Sequence, residues 1–179
     1  GYWGAESGLA ALAPLAGRIY GFALSGRRMG DACLEQIARF ENLRWLALKL
    51  GKMTDKGLHH LTGLRQLSTL RLEGTPVGDA GLVHLARIRR LAWLELNRTR
   101  VTDAGLAHLK GSKTLRGLYL ARTAITDAAL PILETLPRLE SLNFAGCKIT
   151  DAGLRTLAKL PRLDRLTLTG KHITDVGLA

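Results

Sequence analysis

Two cysteines in 179 residues are too few for a disulfide framework, and three each of Trp, Tyr and Phe are too few to build a core. The core must therefore come from aliphatic side chains, chiefly leucine, and any aromatic outside it carries information. Long apolar runs are missing too. The longest clean one near the start, Gly8 to Gly17, falls short of the roughly 20 residues that cross a bilayer, and it contains Pro14. No basic segment precedes it, so it does not read as a secretory signal. Acidic residues are outnumbered, 15 against 26 basic ones. The resulting charge of +11 attracts polyanions, acidic proteins or anionic membrane surfaces over a Debye length of about 8 Å, and says nothing about fold. Phosphate-binding glycine loops, nucleophile elbows and locally supported carboxylate pairs are also lacking, which places an enzyme third among the readings below.

What the chain does have is one phrase, many times over. TDAGL occupies 102–106 and 150–154, with TDKGL at 54, GDAGL at 78, TDAAL at 126 and TDVGL at 174. Counted from the residue before Asp, units begin at Gly30, Thr54, Gly78, Thr102, Thr126, Thr150 and Thr174, a 24-residue period without insertion. The first half of a unit, as in Thr102, Leu106 and Leu109, predicts a short helix with one leucine stripe, Thr capping its N-terminus and Asp favouring its dipole. The second half, as in LAWLEL from Leu91 to Leu96, ends in the alternation of a strand. Helix, turn, strand and return loop then repeat. Strands pack about 4.8 Å apart and helices about 8 to 10 Å apart, so the stack must curve with helices outside and a parallel sheet lining the hollow. A lone unit cannot complete its own burial or pair its strand, which is why the phrase recurs in register.

The segments LRQLSTLRLEGTPV, LAWLELNRTRV and LRGLYLARTAI carry the LxxLxL pattern, and from Gly30 to Leu178 the chain resembles the leucine-rich repeat family. Its TDxGL helix is similar to the cysteine-containing subclass of F-box receptors and to bacterial tandem-repeat proteins. The resemblance implies an α/β horseshoe solenoid and a role in protein recognition. Where the family usually carries an asparagine ladder, this chain has Thr75, Thr99, Thr123 and Cys147, with Gly51 and Lys171 in flanking units. Thr and Cys are expected to hydrogen-bond a neighbouring loop there. Residues 1–29 read as a degenerate N-terminal repeat or cap, 30–173 as six repeats and 174–179 as the start of a truncated seventh. In the first, Leu9, Leu12 and Leu15 take the helix positions and Ile19, Phe22 and Leu24 the strand positions, with Tyr2 and Trp3 covering the open end. Beginning at Gly1 and stopping inside a unit, the chain is expected to be a fragment or a processed product. Further repeats or a partner chain are expected against the Leu166 and Leu168 edge.

Four groups of residues are candidates for chemistry. His60, His84 and His108 form a column, but no carboxylate or cysteine recurs beside them, so no metal or cofactor is expected. Cys33 and Cys147 lie too many strands apart for a disulfide and read as buried thiols, consistent with a reducing compartment and a cytoplasmic protein. Gly57, Gly81, Gly105 and Gly153 share a slot with Cys33 and Ala129, which asks for a small residue under close packing. Basic residues border both edges of the sheet, Arg89 and Arg90 before the strands and Arg98, Arg100 and Arg122 after them.

Three rows face the hollow: Gly21, Trp45, Thr69, Trp93, Gly117, Ser141 and Arg165; Ala23, Ala47, Arg71, Glu95, Tyr119, Asn143 and Thr167; and Ser25, Lys49, Glu73, Asn97, Ala121, Ala145 and Thr169. Aromatics and Arg are enriched at binding hot spots. The sequence therefore points to a non-enzymatic scaffold binding a protein partner through Trp45, Arg71, Glu73, Trp93, Glu95, Asn97 and Tyr119. The alternative is a scaffold for a polyanion or nucleic acid using the basic rims.

Overall fold

The computed structural model describes residues 9–170 and 172–175; Tyr2, Trp3 and Lys171 lie outside them. The alternating segments form seven strands: β1 (Gly21–Ser25), β2 (Trp45–Lys49), β3 (Thr69–Arg71), β4 (Trp93–Glu95), β5 (Gly117–Tyr119), β6 (Ser141–Asn143) and β7 (Arg165–Thr167). They pair in parallel in chain order as one sheet. The register aligns equivalent residues, so that Thr69, Trp93 and Gly117 sit side by side, as do Arg71, Glu95 and Tyr119. Between those rows Leu70, Leu94 and Leu118 point the other way and are fully buried with Leu72, Leu96, Leu120, Val77, Val101 and Ile125. No helix among the described residues is long and apolar enough to cross a membrane.

The helical half of the unit is less regular than the sequence period. Asp31–Ile37, Asp79–Leu85 and Asp151–Leu157 are α-helices, whereas Gly57–Gly63 is 3-10 throughout. Two units mix the forms: α-helical Asp103–Leu106 runs into 3-10 Ala107–Leu109, and 3-10 Asp127–Ala129 runs into α-helical Leu130–Leu133, where Pro131 occupies the first turn. Two turns make so few hydrogen bonds that packing, rather than propensity, selects between the two helix types.

The aspartate of the phrase does more than meet a helix dipole. Asp79 reaches into the next unit, accepting the Thr102 N–H at 2.7 Å on Oδ1 and the Thr102 hydroxyl at 2.6 Å on Oδ2. Asp31 holds Thr54 in the same way, Asp103 holds Thr126, Asp127 holds Thr150 and Asp151 holds Thr174. At Gly78, where the hydroxyl is missing, only the N–H reaches Asp55. Thr is therefore chiefly the donor of an inter-unit clamp. Thr102 makes no cap bond; Thr126 and Thr150 accept from the N–H groups of Ala128 and Ala152 at 3.2 and 3.3 Å, and Thr54 from Gly57 at 3.4 Å. The expected capping role is secondary because a carboxylate is the stronger acceptor for that hydroxyl. The clamp also accounts for the small-residue slot: a Cβ on Gly57, Gly105 or Gly153 would overlap the preceding unit's Asp31, Asp79 or Asp127 carboxylate.

The hydrogen bonds from Thr174, side chain first and backbone second, hold the Asp151 carboxyl below its ordinary value. A depressed carboxyl favours the folded state above its unfolded pKa and loses that contribution as pH falls through the lower folded value. Asp151→Asn is therefore expected to flatten the loss of stability below about pH 4, measured by thermal denaturation between neutral pH and about pH 2.

The polar column differs from expectation. Thr75, Thr99 and Thr123 donate to the carbonyls of Leu72, Leu96 and Leu120 in their own loops at 2.6–2.7 Å, rather than to a neighbouring loop. A short hydroxyl reaches a carbonyl three residues back, whereas an amide would span further. The contact between units comes from Cys147, whose Sγ donates to Leu120 O at 3.1 Å and lies 3.5 Å from Thr123 Oγ1.

At the N-terminal end, β1 pairs with β2 from Gly21 opposite Trp45 to Ser25 opposite Lys49, so the worn unit joins the sheet. Leu9 is buried but Leu15 is 39% exposed, because Ala13–Leu15 turns as a 3-10 segment at Pro14. At the other end Leu166, in the middle of β7, is 40% exposed.

Candidate functional site

The concave face is built from the outward rows of β3, β4 and β5. Trp93 and Tyr119 come from adjacent strands and stack with ring centroids 6.4 Å apart and planes inclined by 18°. A Cβ on Gly117 would overlap the Trp93 indole, which lies across that glycine toward the following unit. Trp45 leans the opposite way: its indole covers Gly21 in the preceding unit, and it remains 45% exposed. The two indoles thus diverge from the strand between them. Thr69 and Leu70 of that strand, with Arg71, Trp93, Glu95, Asn97 and Tyr119, line a hollow of about 580 Å³.

Polar groups in the hollow are tied together. Arg71 Nε lies 3.2 Å from Glu95 Oε2, and Asn97 Nδ2 donates to Glu95 Oε1 at 3.1 Å. Asn97 Oδ1 in turn accepts the Ala121 N–H at 2.7 Å, which fixes the amide between two units. The Tyr119 hydroxyl shares a hydrogen bond with Ser141 Oγ at 3.1 Å. Arg71, Glu95, Asn97 and Tyr119 are each held by a neighbour, which reduces the ordering that binding would require. One wall is aromatic and the other carries a guanidinium with free N–H groups. That combination accepts an apolar side chain against the rings and an anionic or carbonyl oxygen at Arg71.

Five of the seven sequence-predicted residues, Arg71, Trp93, Glu95, Asn97 and Tyr119, therefore line one space. Trp45 and Glu73 do not. Trp45 is turned away over Gly21, and Glu73 is engaged by Lys49 at 2.9 Å. Trp93 is half-buried rather than fully facing water, since Tyr119 and the backbone of Gly117 cover part of it. Thr69 and Leu70, the floor, and the glycines that admit the indoles were not among the predicted site residues. A large residue beside a glycine in the same row was the available signal.

The basic residues separate by edge. Arg98 and Arg122 follow β4 and β5 with left-handed backbones at φ of 56° and 57°, in the place that Gly74 and Gly146 fill at 67° and 73°. An L-residue there is strained by about 1 to 2 kcal/mol, and glycine gives back part of that through its greater chain entropy. Arg122→Gly is accordingly expected to stabilise the protein by up to about 1 kcal/mol in chemical denaturation. Arg89 and Arg90 lie on the opposite edge, with Arg65 and Arg87 beside them.

The histidine column does not converge. His59 lies against His60 with centroids 3.8 Å apart and planes inclined by 38°, and His84 lies 6.2 Å from His59. No three His, Cys, Asp or Glu side chains among the described residues gather around a metal-sized space. Cys33 and Cys147 are both buried.

A family model for the leucine-rich repeat matches residues 136–158. The structure superimposes on the crystal structure of an internalin, InlF, from Listeria monocytogenes with a TM-score of 0.71 over 94% of this chain. The chain has the fold of a leucine-rich repeat solenoid. Sequence identity to that internalin is 22%, and the chain spans about half of its length, 47%. The likeness is one of fold. No curated protein sequence matches the chain. In the leucine-rich repeat arrangement the hollow at β3 to β5 occupies the inner, concave surface.

Proposed function

We propose that this leucine-rich repeat solenoid is a non-enzymatic scaffold that binds a protein through its concave sheet. The Trp93–Tyr119 stack, Arg71, Glu95 and Asn97 form the centre, and Trp45 and Glu73 flank it. The observation that carries the reading is the preorganised hollow, in which a stacked aromatic pair stands beside a braced guanidinium. Its volume of about 580 Å³ accommodates side chains of a partner.

Binding is favoured over catalysis by the state of the charged groups. Glu95 already serves Arg71 and Asn97 and is not free to act as a base. The Lys49 ammonium is held above its ordinary range by its hydrogen bond to Glu73 and then by that residue's charge. A nucleophilic lysine needs the opposite shift. The exposed Leu166 within β7 supports an apolar neighbour, a further repeat or a partner chain, at that edge. The two buried cysteines fit a reducing compartment, and a cytoplasmic location is part of this proposal.

The test is capture from an extract of the source cells on three immobilised forms: wild type, Trp93→Ala/Tyr119→Ala, and Arg98→Glu/Arg122→Glu. A protein retained by the first and third but not the second supports the concave site. Retention lost with the arginine variant and with added salt, but insensitive to the aromatic change, moves binding to the rim and favours the polyanion reading.

A further inference from the structure

Between the helix-to-strand loops of the units that begin at Thr54 and Gly78 lies a second hollow, of about 550 Å³, into which Arg65, Arg87, Arg89 and Arg90 all project. We propose that it is an anion site for closely spaced phosphate groups. It shares no lining residue with the concave hollow and stands independently of the protein-binding reading.

The charge is concentrated and unanswered. No ion pair among the described residues includes any of the four arginines. Arg90 Nη1 donates to Gln66 Oε1 at 2.6 Å, which pins one guanidinium and leaves the Gln66 NH2 as a further donor. Four like charges around one space repel one another, and a bound anion relieves that repulsion. Glu41 stands one unit before Arg65 and Thr114 one unit after Arg90, while Lys113 continues the column of Arg65 and Arg89.

The side chains define the ligand. They are almost all donors, so the ligand must be rich in acceptors. They are guanidiniums rather than ammonium groups, and a planar fork matches two oxygens of a phosphate. The lining contains no aromatic and no aliphatic side chain beyond the arginine stems and a threonine methyl, which leaves no platform for a nucleobase or a lipid tail. At about 550 Å³, against about 30 Å³ for a water molecule, the hollow holds more than one phosphate. Adjacent phosphates occur in a free oligophosphate and along a phosphodiester backbone.

A net charge of +11 attracts any polyanion weakly, so the test needs a charge-matched control. Arg87→Gln/Arg89→Gln and Arg155→Gln/Lys159→Gln remove the same charge from different parts of the solenoid. All four side chains are exposed, and thermal denaturation verifies that both variants fold. Calorimetric titration with sodium tripolyphosphate, and in parallel with a short DNA duplex, is carried out at about 50 and 150 mM salt. Tripolyphosphate is expected to bind, with a loss of about tenfold or more in Arg87→Gln/Arg89→Gln and less than about twofold in the control. If the duplex follows the same pattern, the phosphodiester backbone is a source; if only tripolyphosphate does, the source is a free oligophosphate. An absence of tripolyphosphate binding at the lower salt, or an equal loss in both variants, overturns the site.

Discussion

Gly105→Val is expected to destabilise the middle of the solenoid by about 3 kcal/mol or more, the sum of overpacking and of a broken inter-unit clamp. Any Cβ at this position runs into the Asp79 carboxylate, and the Asp79 Cα is only 3.1 Å away. Asp79 cannot retreat without releasing both the N–H and the hydroxyl of Thr102. The milder Gly105→Ala change separates this cause from ordinary helix propensity. In an unconstrained helix it should gain up to about 1 kcal/mol; here it is expected to lose about that much. Placed on an Asp79→Ala background, the same change should become neutral or favourable. Ala129 marks the limit of tolerance, for it occupies the equivalent slot where the helix opens as a 3-10 turn. Urea denaturation of the four proteins of this cycle is the check, and an equal gain from Gly105→Ala on both backgrounds would refute the clamp.

Leu94→Ala is expected to cost about 2 to 5 kcal/mol. Leu94 is fully buried and lies in register between Leu70 and Leu118, so its loss leaves a cavity that two flanking strands cannot close. Its neighbour Trp93 sits on the other face of the same strand. Trp93→Ala forfeits the Tyr119 stack and part of a half-buried surface, about 0.5 to 1.5 kcal/mol. The ratio of these two effects reports the register directly. Comparable losses at both positions would mean that the row bearing Trp93 does not face the hollow.

The rows were legible because a constant period without insertions leaves no freedom of register: once Leu94 is placed in the core, Trp93 and Glu95 must lie outside. The buried thiols and the small-residue slot followed from the same period. Three things were not legible. The lean of Trp45 toward Gly21 and of Trp93 toward Gly117 depends on side-chain rotamers. The reach of Asp79 to Thr102 joins residues in different units, while the local phrase reads as an ordinary helix start. Arg87 belongs to the end of a helical segment and fell outside the rim columns, so the arginine hollow emerged only once the loops of two units were placed together. The strain at Arg122 could have been read, since Gly74 and Gly146 hold its place in other units.

The central claim is that a protein binds the concave face, and its most direct test is the affinity of the captured partner for Trp93→Ala. The control is Arg155→Ala, an exposed position on the helix Asp151–Leu157. The concave-face account expects Trp93→Ala to weaken binding by about 2 kcal/mol or more, roughly 30-fold, with Arg155→Ala within about twofold of wild type. A partner that binds Trp93→Ala as tightly as the wild type would contradict it.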